Sequence, residues 1–150
     1  MKLLALINQL EEKINTSELR VNSVSASSVG WHIQHSLLVI VIISKAIIAS
    51  DPNKYKWKFS IIREVFFLFK TIRRGKTKAP KAVVPTTCAS AEQLYNEIVA
   101  AKAIVLKLKS QSNSCFFKHP FLGDIRLKNT ILFLEIHTQH HIKIINNILQ

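Results

Sequence analysis

The sequence predicts an all-α fold, and three observations carry that prediction. Glycine and proline together fill only seven of 150 positions, too few for a turn-rich β architecture. Hydrophobic residues make up 48% of the chain, enough to bury a single core and too many for a disordered one. Apolar residues also recur at helical spacing in segments longer than an ordinary strand. At this length one domain, covering 1–150, is the expectation.

Five helices follow in order. The first covers about Lys2 to Ile14, where Leu3, Leu6, Ile7, Leu10 and Ile14 fall on one side. A serine-rich connection then offers Ser27 or Ser28 as a cap for a second helix from about Val29 to Ala49, which is apolar nearly all round and so belongs deep in the fold. Pro52 punctuates the break after it. A third helix spans about Phe59 to Arg74, with Ile61, Ile62, Val65, Phe66, Phe69 and Ile72 on its apolar side. A long irregular connection holding Gly75, Pro80 and Pro85 leads to a fourth helix, for which Ser90 and Gln93 form a capping box, running to about Ser110. After the loop "SNSCFFKHPFLGD" a last helix covers about Leu127 to Leu149. Short links with one long crossover suggest an antiparallel bundle, an architecture that builds metal sites from facing core side chains.

Composition narrows the function classes. The run "LLVIVII" is seven residues, against about 20 needed to span a bilayer, so no membrane partner is expected. The start "MKLLALINQLEEK" lacks the apolar length and the cleavage site of a signal peptide. Cys88 and Cys115 form neither a CxxC pair nor a disulfide framework and read as reduced thiols, which makes the expected location cytoplasmic. The net charge of +12 is uneven: residues 51–84 hold ten basic side chains against Asp51 and Glu64. Such a segment attracts polyanions or acidic ligands.

The stretch "EIHTQHHIKII" carries the chemistry. At about 100° per residue, Phe133, Leu134, Ile144, Ile145 and Ile148 gather on one side of the last helix, with His137 and His141 among them roughly 40° apart. His140 lies on the flank, while Glu135, Gln139 and Asn146 face away. Two inward histidines one turn apart have Cβ atoms about 5–6 Å apart, which lets both imidazoles reach one metal. A third ligand would come from "WHIQH" in the second helix, where winding does not choose between His32 and His35. Three neutral imidazoles leave a fourth position for water, as open catalytic sites do, and they suit zinc, nickel, copper or iron. No general base stands out among Glu135, Asp124 and Glu64.

The order of "SSVGWHIQHS", "HPFLG" and "HTQHHIKI" resembles the DinB-like superfamily, and most closely an uncharacterised branch with an "HPFFG"-type loop and a closing HxxHH motif. The resemblance implies an up-down-down-up four-helix bundle with an additional short helix, in which 75–90 forms the crossover. It implies that His35, His137 and His141 are the metal ligands, with His32 as the alternative and His140 outside the set. It further implies a divalent ion, zinc or nickel foremost, and a thiol-dependent transferase or hydrolase activity using a low-molecular-weight thiol and a small electrophilic substrate. A homodimer is implied as well. One departure stands out: the branch usually shows an acidic residue and a tryptophan after this loop, and "DIRLKNT" has neither in register.

Two other readings compete. One is a helical binding or dimerisation protein without chemistry. The other is a nucleic-acid-binding module, since Tyr55, Trp57 and Phe59 alternate with Lys54, Lys56 and Lys58. No motif that reads DNA or RNA accompanies that alternation, so nucleic acid is not the expected partner. The segment "KHPFLG" reads as a turn packing Phe121 and Leu122 under the bundle end.

Overall fold

A computed structural model describes residues 1–75, 80–87 and 89–150. Among them, five α-helices and one hairpin occur in the order α1 (Lys2–Glu11), α2 (Val29–Ile48), α3 (Ile61–Phe69), α4 (Ala91–Lys107), β1 (Phe116–His119), β2 (Gly123–Arg126) and α5 (Leu127–Ile148). The chain is therefore mostly helical, as expected, with one departure from an all-α class. The two strands pair antiparallel, from Phe116 opposite Arg126 to His119 opposite Gly123. Gly123 takes a positive φ of 73°, a conformation that costs glycine little, and so lets the chain turn back after Leu122.

Local sequence chemistry sets the helix starts. Ser28 Oγ accepts the Trp31 amide at the head of α2. Ser90 Oγ accepts the Gln93 amide at 3.2 Å while Gln93 Oε1 accepts the Ser90 amide at 2.8 Å, completing the capping box at α4. α5 has no side-chain cap at Arg126. Thr130 instead donates to the Ile125 carbonyl at 2.9 Å, with the Arg126 carbonyl at 3.1 Å, which ties the helix to β2.

α1 and α2 each pack against both α4 and α5. The core forms where their apolar stripes meet: Leu3, Ile7 and Leu10 of α1, Ile33, Leu37 and Ile40 of α2, Leu94 and Ile98 of α4, and Leu134, Ile142 and Ile145 of α5. Each such side chain contributes about 1.5–3 kcal/mol when fully buried. α2 is also long and apolar enough, by length and composition alone, to cross a membrane. Here it serves as the core helix, with Ile33, Ile40 and Ile47 fully enclosed. Cys115 is buried in a smaller cluster with Ile47, Leu108 and Leu127, whereas Cys88 lies outside the described residues.

α3 differs most from expectation. It is shorter than the predicted 59–74 because Lys70 turns left-handed (φ 51°) and closes it with a bond from its amide to the Phe66 carbonyl. Most of its apolar stripe also stays outside the core. Ile61, Ile62, Val65 and Phe69 are exposed, and the helix is attached through half-buried Phe66 and Phe67 and buried Arg63. Arg63 is paired with the exposed Glu64 at 3.2 Å.

Candidate metal centre

α2 and α5 pack side by side, and their histidine-bearing faces meet. His35 comes from the first two turns of α2, and His137 and His141 come from successive turns of α5. One ring nitrogen of each lies within 4.8 Å of the other two. The ring centroids form a near-equilateral triangle, with sides of 5.1 Å (His35–His137), 4.7 Å (His35–His141) and 4.7 Å (His137–His141). His35 and His141 are buried and His137 is half-buried. Three imidazoles at these separations are close enough to bind one metal ion. Among the described residues no further histidine, cysteine or carboxylate joins the three.

Their protonation suits ligation. Burial pushes His137 down to about 3, with the neighbouring His35, His140 and His119 acting in the same direction. Burial also lowers His141, aided by His137 and His35, and lowers His35 against the opposing bond to Val83. All three rings are therefore neutral near pH 7, with one lone pair each. The Nδ1 atom of His35 donates to the Val83 carbonyl at 2.7 Å, which fixes its tautomer and leaves Nε2 as the free lone pair. The indole of Trp31 stacks on the face of that ring, centroids 5.0 Å apart and planes 13° apart. The Nδ1 atom of His137 is fully buried and has no protein partner.

His32 is not one of the three. Its Nδ1 lies 3.0 Å from Nδ1 of His141 and its Nε2 lies 3.0 Å from Ser25 Oγ, so both its ring nitrogens are occupied. Burial, with smaller contributions from His35, His140 and Arg74, lowers it to about 4. His140 sits beside His141 at the edge of the cluster, as its flank position predicts. Val83 and Ser25 do not stand out in the sequence as parts of a site, and Trp31 reads there as core rather than a stacking surface, whereas it is half-buried and stacks on His35. Trp31 carried a signal in its adjacency to "HIQH", whereas a backbone carbonyl in a long connection carries none.

The remaining candidates lie elsewhere. The Nδ1 atom of His119 accepts the Phe121 and Leu122 amides, both at 3.1 Å, and so builds the predicted turn. Leu122 is buried there but Phe121 is exposed, so only half of the expected packing occurs. His119 reaches the histidine cluster indirectly, through Phe133, which stacks on His137. Asp124 accepts the Lys56 backbone amide, and Glu64 pairs with Arg63. Neither carboxylate joins the histidine cluster. Tyr55 is half-buried against Phe116 with the Arg126 guanidinium 4.5 Å above its ring, while Trp57 and Phe59 are exposed. No family model, curated protein or solved structure matches this sequence.

Proposed function

We propose that this is a DinB-like protein whose bundle holds a divalent metal, zinc or nickel, on His35, His137 and His141, with an open coordination position for thiol-dependent transfer or hydrolysis. The observation that carries the reading is the convergence of three neutral imidazoles from two helices within 4.8 Å. Two further features support it. The Val83 carbonyl holds His35 in the tautomer that a ligand needs, and the orphaned Nδ1 of His137 is a buried polar atom of the kind that costs about 1–3 kcal/mol when nothing satisfies it. The packing of α1 and α2 against both α4 and α5 supports a four-helix reading in which α3 is the additional short helix. A divalent ion here would lower the pKa of a bound water or thiol toward neutrality. The chain's own part is to hold three lone pairs in place in a largely buried setting, where the rings stay unprotonated.

Elemental analysis of untagged protein tests this reading beside a His35→Ala, His137→Ala, His141→Ala variant shown by circular dichroism to fold. Near-stoichiometric metal that disappears in the variant supports it and justifies screening low-molecular-weight thiols with small electrophiles. Absence of metal from both proteins, even after incubation with zinc and nickel, overturns it.

A further inference from the structure

α3 is an amphipathic helix mounted with its apolar face outward. At about 100° per residue, Ile61, Ile62, Val65, Leu68 and Phe69 cover an arc of roughly 120°, and every one of them is exposed, Leu68 at 74%. Phe59, just before the helix, is exposed as well, at 66%. The inward side is fixed: Phe66 packs on Phe133 with ring centroids 5.7 Å apart, and half-buried Phe67 and buried Arg63 lie on that side. Exposed cations stand at both ends, Lys54, Lys56 and Lys58 before the helix and Lys70, Arg73 and Arg74 after it. Contiguous apolar surface of this kind marks an interaction site.

We propose that this face docks the protein onto the surface of an anionic lipid bilayer. Aliphatic side chains at the centre, aromatic ones at the edge and cations at both ends are the composition of an interfacial helix, which lies in the headgroup plane and does not span. The nine-residue helix is only about 14 Å long, too short to cross. A second copy fits less well, because a two-fold contact would bring the same cation-rich segment against itself in a chain of net charge +12. Single-stranded nucleic acid fits less well too, because isoleucine, valine and leucine give bases nothing to stack on.

The test is co-sedimentation of the full chain with vesicles of phosphatidylcholine alone and of phosphatidylcholine mixed with phosphatidylserine. Binding to the mixed vesicles is expected to be at least about tenfold tighter and to weaken with salt. An Ile62→Ser, Leu68→Ser variant is expected to lose about tenfold or more of that binding with its circular dichroism and metal content unchanged. A Lys56→Glu, Lys58→Glu, Lys70→Glu variant is expected to lose the preference for phosphatidylserine. Failure of the parent protein to bind either vesicle overturns the proposal. So does loss of binding in the charge variant alone, which would make the attraction merely electrostatic. A concentration-dependent dimer abolished by the serine variant, or displacement of vesicles by a single-stranded oligonucleotide, overturns it in favour of those partners.

Discussion

The Nδ1 atoms of His32 and His141 lie 3.0 Å apart, so one ring must donate a proton to the other. The direction matters for ligation. If His141 donates, its Nε2 keeps a lone pair, and His32 passes the arrangement on by donating from Nε2 to Ser25 Oγ, which also accepts the Ser27 amide. If His32 donates, His141 carries its proton on Nε2 and has no lone pair there for a metal. The tautomer of His141 is thus coupled to that of His32, whereas the Val83 carbonyl, an acceptor only, fixes that of His35. Replacing His32 with Leu should weaken zinc binding about 10–100-fold, the usual cost of losing such an outer partner. His32→Asn, whose Oδ1 can take the place of Nδ1, should stay within about tenfold of the parent. Competition against a chromophoric chelator measures both, and equal affinity for the Leu and Asn variants would remove His32 from this role.

Burial of neutral histidines makes the metal-free fold sensitive to acid. His119 and His32 are pushed down to about 4, and His137 to about 3, from an unfolded value near 6.5. Between those limits the unfolded chain binds more protons than the folded one, so stability rises with pH there. The contribution is complete above about 6.5 and is lost progressively as the pH falls toward 4. His119→Asn keeps an acceptor for the Phe121 and Leu122 amides and removes one titrating ring. Urea titrations across this range should show a slope shallower by about one proton in the Asn variant than in the parent. Parallel curves would mean that His119 titrates alike in both states.

How far the sequence exposes this site depends on the element. α5 has one apolar stripe, so winding it placed His137 and His141 inward without help. α2 is apolar on most sides, so the same winding leaves His32 and His35 equivalent, and only the resemblance favours His35. The hairpin escaped notice because each strand is four residues long, shorter than the window in which alternation becomes distinct. For α3 the periodicity does not say which way the helix is turned. A pattern defines an apolar side, and the exposure of Ile61, Ile62, Val65 and Phe69, with only Phe66 turned in against Phe133, shows that most of this side is turned outward. The Val83 carbonyl lies beyond any such reading, since its place depends on how the connection before α4 crosses the bundle.

Gly30 holds the start of α2 against the turn that follows α1. Its amide donates to the Ser17 carbonyl at 2.8 Å, and an added Cβ would meet that oxygen and the Ser17 Cβ at 3.1 Å. Ser17 is itself held by a bond to Ile14, so it cannot retreat freely. Alanine gains up to about 1 kcal/mol in helix propensity, against about 1–3 kcal/mol for the crowding. Gly30→Ala should therefore destabilise by about 1 kcal/mol, and any shift of the first turn of α2 would reach His32 and His35. Thermal melts with and without zinc separate the two effects, and a variant with a higher melting temperature would show that the contact can relax.

Two threonines on α5 test whether its buried hydroxyls support the fold. Thr130 is buried and donates to the carbonyl of Ile125, fastening the hairpin to the uncapped start of the helix. Thr138 is wholly buried one residue from His137, and its hydroxyl has no protein partner. Valine has nearly the shape of threonine, so each substitution removes a hydroxyl with little change in packing. Thr130→Val should cost about 1–2 kcal/mol, because a bond is lost and an acceptor is left with one fewer donor. Thr138→Val should be neutral or stabilising by up to about 1 kcal/mol, because an unsatisfied polar group leaves the interior. Urea midpoints at unchanged slope give both values. A large loss at Thr138 would mean that its hydroxyl has a partner in solution, with the neighbouring histidine cluster the first place to seek it.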